Sequence, residues 1–187
     1  MLKNATSSQA AHGKQAGTKA LVNLAGIEPF YEKKFRNDRT LIFESRFESG
    51  NLAAALKVND NDYYLALQND VNTSGNTQWF FFRVSNTHAY NSVRFNLLNL
   101  CKPDSLYNEG MKVLVYSEKH AQAKDIGWHR GGTKIAYYAN GIRKDGVKGF
   151  KTLYTMTFTY EFEYDDDSVY FAYCYPYTYT ELAEELN

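Results

Sequence analysis

Cysteine, proline and net charge are all scarce in this sequence. There are two cysteines, three prolines and equal numbers of basic and acidic residues, 21 of each, in 187 residues. Cys101 and Cys174 are too few for a disulfide scaffold and too far apart for a CxxC zinc knuckle, so both are expected as reduced thiols in the core. A net charge of zero predicts no nucleic-acid partner and no membrane-surface partner. Nowhere do apolar residues run long enough to cross a bilayer, and the N-terminus lacks the apolar stretch of a signal peptide, so neither membrane insertion nor secretion is expected.

Catalytic signatures are missing too. HExxH, GxSxG, GxGxxG and P-loop patterns do not occur, and no histidine is followed three residues later by a carboxylate. The four histidines are His12, His88, His120 and His129. His120 and His129 flank a loop that also holds Glu118 and Asp125, a grouping polar loops reach by chance. Asp165, Asp166 and Asp167 are consecutive, which suits a solvated turn better than the spaced oxygens of a calcium loop. No catalytic and no metal-ligating residue is assigned.

What the chain has is aromatic residues, 16 Tyr and 12 Phe, in strand-like periods. Residues 1–20 are small, polar and aperiodic, a flexible lead-in. Residues 21–39 form an irregular segment, basic towards its end. From residue 40 short alternating segments follow in succession: 40–45, 52–58, 63–68, 78–86, 92–99, 112–117, 134–138, 152–162 and 169–175. In QWFFFRVSN (78–86), Phe80, Phe82 and Val84 share one face, and Trp79, Phe81 and Arg83 the other. With SVRFNLLN (92–99) it reads as a central hairpin. TLYTMTFTYEF (152–162) has the clearest period of two and is expected to form a second hairpin with 169–175, which Pro176 ends. Gly50, Asn140-Gly141 and Asp145-Gly146 mark turns, and Glu118–Arg130 reads as an irregular excursion. The expected fold is all-β: a two-sheet antiparallel β-sandwich over 40–176, with a short helix start at the C-terminus.

That helix start is Thr178, with Glu181 three residues on in capping-box spacing. Tyr173, Tyr175, Tyr177 and Tyr179 lead into it and give rigid apolar area with hydroxyl tips, which suits a domain boundary. Residues 177–187 are therefore read as a link to a further domain, and Tyr173, Tyr175, Pro176, Tyr177, Thr178, Tyr179 and Thr180 as an interdomain interface. Aromatic platforms beside arginine bind sugars, peptides or bases, so Trp128, Arg130, Lys134 and Tyr138 are candidates for substrate recognition. The plainer reading of Trp128 is a plug folded over the sandwich edge.

The segments FESGNL (47–52), NTQWFFFRVSN (76–86), RFNLLNLCKPDSLYNEGMKVLVYS (94–117), Gly127-Trp128 and YFAYCYPYTYTEL (170–182) resemble the amino-terminal domain of the cytosolic carboxypeptidases. The resemblance covers about 40–182. It implies a β-sandwich preceding, and packing on, the carboxypeptidase domain of a cytoplasmic zinc hydrolase, a protease that removes glutamates from tubulin or other proteins. Its implied partners are that C-terminal carboxypeptidase domain and tubulin or polyglutamylated acidic tails. The zinc, held in that family by a His-x-x-Glu pair and a later His, belongs to the second domain, so no cofactor is expected in this chain. Arg83, Asn99, Ser105, Tyr107, Asn108, Trp128 and Tyr173–Thr180 are what the resemblance maps here, as scaffold and interface. This implies a positioning platform, itself not an enzyme. The alternative is an independent carbohydrate- or peptide-binding sandwich.

Overall fold

The structure, a computed structural model, describes residues 37–73, 76–146 and 149–187, the side chains of 143–151 excepted. The expected lead-in 1–20 and most of the 21–39 segment lie outside these residues. Ten strands form two five-stranded sheets. The first takes the order β1 (Ile42–Glu44), β4 (Phe81–Ser85), β10 (Val169–Ala172), β6 (Val113–Ser117), β7 (His129–Gly131). The second takes the order β2 (Leu52–Asn59), β3 (Asp62–Leu67), β5 (Ser92–Leu100), β9 (Gly149–Glu161), β8 (Thr133–Gly146). Among the described residues there are also two helices, α1 (Glu118–Lys124) and α2 (Tyr179–Leu186), and a 3-10 turn at Leu106–Glu109. This is the expected all-β sandwich, antiparallel except that β3 and β5 run parallel.

Alternation explains the layers. Phe80, Phe82 and Val84 turn inward from β4 and its approach, Val93, Phe95 and Leu97 from β5, Met156 and Phe158 from β9, and Val169 and Phe171 from β10. Phe95 is the hub, with its ring 5.2 Å from Phe158, 5.3 Å from Phe171 and 6.2 Å from Phe43.

Neither expected hairpin exists. Strands β4 and β5 are consecutive but lie in opposite sheets, and so do β9 and β10. Each strand has one strongly apolar face, and crossing from layer to layer lets both faces meet in one core. The 86–91 connection spends its polar groups elsewhere than on a tight turn. Asn86 Nδ2 donates to the Asp38 and Thr40 carbonyls, and Thr87 Oγ1 to the Tyr164 carbonyl. The second crossing packs against it: Tyr90 N–H donates to Phe162 O, Asp166 N–H to Thr87 O, and Asp167 N–H to Thr87 Oγ1.

Asp167 also corrects the reading of the acidic triplet as a merely solvated turn. Its side chain is buried and accepts from Ser117 Oγ at 2.5 Å and from Lys119 N–H at 3.0 Å. Ser117 in turn caps α1 by accepting from His120 N–H. The excursion expected over 118–130 is thus a helix followed by an edge strand, nucleated by a carboxylate 48 residues downstream that no local pattern reveals.

Three smaller readings change. The left-handed residue of the 47–50 turn is Ser49, with φ 65°, while Gly50 is required because a Cβ there would stand 2.2 Å from Ser45 O. Asn140-Gly141 is a bulge inside the long strand β8, Gly141 having φ 74°, and the chain reverses only where Gly146 pairs with Gly149. Cys101 is half-buried beside Thr77, whereas Cys174 is exposed rather than in the core.

Candidate interaction surface

Strand β10 ends at Ala172, but Tyr173 still bonds through its N–H to Phe80 O and packs on the rings of Phe80 and Tyr107. It completes the core. The chain then leaves the sandwich, and Tyr175, Tyr177 and Tyr179 are 60%, 56% and 77% exposed. Pro176 and Thr178 are half-buried and Thr180 is exposed. Helix α2 begins with a complete capping box: Thr178 Oγ1 accepts from Glu181 N–H, and Glu181 Oε2 accepts from Thr178 N–H at 2.6 Å. Two further ties fix its direction, Thr180 N–H to Glu48 Oε1 at 3.0 Å and Tyr177 OH to Glu185 Oε2 at 2.8 Å. Tyr175, Tyr177, Cys174, Trp79 and Val71 line an open groove beside it. A helix of 8 residues is marginal by itself. Thr178→Ala is therefore expected to cost about 1 kcal/mol of local stability. Amide exchange at 182–186 should quicken while the strands keep their protection. Unchanged exchange there would show that the cap does not hold the helix.

Trp79 joins this groove to the outer face of the first sheet. There Phe81, Leu114 and Ala172 are buried beneath Phe47, Trp79, Trp128 and Tyr170. Trp128 lies 5.9 Å from Phe81 and 5.6 Å from Tyr116, ring centre to ring centre, and Phe47 lies 4.9 Å from Phe81. Trp128 thus does fold over the sheet, but onto its outer face rather than its edge. Two cross-strand rows cover this face. One runs Glu44, Arg83, Tyr170, Tyr116, and the other Phe81, Ala172, Leu114, Arg130. Burial raises the Tyr170 phenol, while the Arg83 guanidinium beside it pulls the other way. Three side-chain bonds from Arg46, then its backbone N–H and its charge, hold the Glu44 carboxyl down at about 2.

The four candidates for substrate recognition separate. Trp128 and Arg130 share the outer face of the first sheet. Lys134 and Tyr138 belong to β8 in the second sheet, where Tyr138 OH meets Thr157 Oγ1 at 3.4 Å on the opposite outer face. That second face carries a closed polar chain: Arg94 pairs with Asp62, Asn96 donates to Asp62, and Thr157 donates to Asn96. His120 and His129 do come together, with rings 5.4 Å apart, and Glu163 lies 3.2 Å from His120 Nδ1. Lys124 occupies that carboxylate as well. Among the described residues no three His, Cys, Asp or Glu side chains converge in a way that could hold a metal ion.

Comparison with known proteins bears on this sandwich directly. The family described as "Cytosolic carboxypeptidase N-terminal domain" matches residues 43–174. The chain belongs to this family. As a cytosolic carboxypeptidase N-terminal domain it is 49% identical over 121 residues to mouse cytosolic carboxypeptidase 3, covering 65% of this chain and 12% of that protein. It is 50% identical over 126 residues to Xenopus tropicalis cytosolic carboxypeptidase 2, covering 67% of this chain and 13% of that protein. The chain thus spans about an eighth of the length of these relatives. Its fold is found in a metallo-carboxypeptidase from Burkholderia cenocepacia, with TM-score 0.52 and 21% identity over 79% of this chain and 32% of that one.

The alternation of 79–83 places Trp79, Phe81 and Arg83 on one strand face and, with apolar groups on both faces, asks for a cover on each side. Which residues supply the outer cover, Phe47, Tyr170 and Trp128, has no signal in the local pattern.

Proposed function

We propose that this chain is the non-catalytic N-terminal domain of a cytoplasmic zinc metallocarboxypeptidase that removes glutamates from tubulin or other proteins. Its role is to position and stabilise the carboxypeptidase domain through Tyr175, Pro176, Tyr177, Thr178, Tyr179 and Thr180, with Tyr173 rooting this run in the sandwich core. The observation that carries the reading is the family membership together with an exposed tyrosine run stiffened by a capped helix. The described residues do not fit zinc, since no three ligand side chains converge, so the metal is assigned to the partner domain and no chemical step to this one. Three tyrosines more than half exposed within five residues suit an interface. Burial against a second domain would stabilise both by linkage.

Hydrogen exchange tests this on the chain alone and on a longer chain that continues through the carboxypeptidase domain. Protection at 173–187 is expected to rise strongly in the longer chain. Equal protection in both would overturn the interface. Glutamate release by the chain alone, abolished by a chelator, would overturn the non-catalytic assignment.

A further inference from the structure

Arg83 stands in the middle of an aromatic face without a carboxylate of its own. It is half-buried, its Nε is sealed from solvent with no hydrogen-bond partner, and it enters no ion pair among the described residues. Two acids are near in the fold and both are committed. Glu44 is opposite Arg83 across β1 and β4, but its carboxylate is taken by Arg46. Glu118 accepts from the Tyr170 hydroxyl at 3.2 Å, the same hydroxyl that the Arg83 guanidinium meets. At the other corner of the face Arg130 is exposed, gives one N–H to Lys112 O at 2.7 Å, and also forms no ion pair among the described residues. Between the two arginines the accessible aromatic strip is Tyr170, Tyr116 and Trp128, all half-buried, which cover Phe81, Ala172 and Leu114.

We propose that this face binds an extended peptide segment with two carboxylates flanking an apolar side chain, one carboxylate on Arg83 and the other on Arg130. The spacing follows from the sheet. Arg83 and Arg130 are three strands apart and one alternate position apart along the strand, about 16 Å between Cα atoms. In an extended peptide, alternate residues share a side and positions i and i+4 lie about 13 Å apart, a gap that two long guanidinium side chains close. Acid, apolar and acid at i, i+2 and i+4 therefore match arginine, aromatic strip and arginine. A partly desolvated guanidinium that has a phenol but no carboxylate beside it gains most from a bidentate carboxylate, and the aromatic cover excludes water around both contacts. Arg83 and Arg130 are thus specificity residues of a peptide site that excludes Lys134 and Tyr138. This site does not depend on the interface proposed for Tyr175–Thr180.

Both tryptophans of the chain, Trp79 and Trp128, lie on this face, so intrinsic fluorescence reports on it. The experiment titrates the chain with the capped peptide Glu-Ser-Leu-Ser-Glu and with its Gln-Ser-Leu-Ser-Gln counterpart. The acidic peptide is expected to give a saturable change that weakens with added salt, and the amide peptide none. Arg130→Met should weaken the acidic peptide about tenfold, and Arg83→Met at least as much. Arg83→Lys should recover only part of the loss, because the planar fork is gone. Arg130 is exposed, so its variant decides the matter even where Arg83→Met fails to fold. Equal response to both peptides, equal competition by free glutamate, or unchanged affinity in Arg130→Met would each overturn the site.

Discussion

Replacing Phe95 with alanine is expected to remove about 3–5 kcal/mol of folding stability. The side chain is fully buried, and its ring meets those of Phe43, Tyr63, Phe158, Phe162 and Phe171, which come from four separate segments of both sheets. No single neighbour can collapse into the space it leaves, because each is held in its own sheet. A domain of this size is stable by about 5–15 kcal/mol, so a fifth of the total or more would go. The urea midpoint should fall steeply with little change in slope. Phe47→Ala, on the half-covered outer face, should cost clearly less. A Phe95→Ala variant that unfolds at nearly the parental midpoint would show that the core is not organised around this ring.

The second large effect is expected in alkali. Burial pushes the phenols of Tyr137 and Tyr160 up to about 12, in Tyr160 with the Asp167 charge adding to it. Burial drives Tyr107 higher still, and its hydroxyl has no partner among the described residues. These folded-state values lie above the unfolded value near 10. The unfolded chain therefore releases protons first, and the stability these groups contribute is whole below pH 10 and lost as pH rises through 12. The difference corresponds to on the order of a few kcal/mol for each group. Tyrosinate absorbance should rise in two stages, the second belonging to the buried set and appearing together with loss of strand signal. A single rise near pH 10 with the fold intact at 12 would contradict it.

Much of this architecture was legible in the residues. The period of two in 92–99 and 152–162 identified the strands and their inward faces, because burying one face of a pleated strand demands that alternation. Pairing was not legible. Val93, Phe95 and Leu97 present the same face whether they return to β4 or cross to the other sheet, and the choice is made by Asn86 and Thr87 bonding to Asp38, Thr40 and Tyr164. Helix α1 was missed for a similar reason. Its 7 residues carry little signal, and its start is fixed by Asp167 from another part of the chain. On the surface, Trp128 and Arg130 were found as an aromatic beside a cation, but Lys134 and Tyr138 were grouped with them by closeness in sequence. Gly132 turns the chain from one sheet to the other between Arg130 and Lys134, with φ 83°, and that turn divides the group.

The position of β10 has a consequence for how this chain comes off the ribosome. Without it the first sheet is two disconnected pairs, β1 with β4 and β6 with β7, since β10 alone bonds to both β4 and β6. Although the five strands of the second sheet are complete by residue 161, the β1–β4 and β6–β7 pairs must wait for residue 169 before they can be joined into one sheet. At about 5–20 residues per second that is an interval of many seconds, during which Trp79, Phe80, Phe81 and Phe82 are already outside the exit tunnel and unpaired on one edge. Closure is then a late, single event, triggered by the arrival of four residues, Val169 to Ala172. The tyrosine run and α2 are translated directly behind them, so Tyr175, Tyr177 and Tyr179 reach solvent only once the sandwich that carries them can shut.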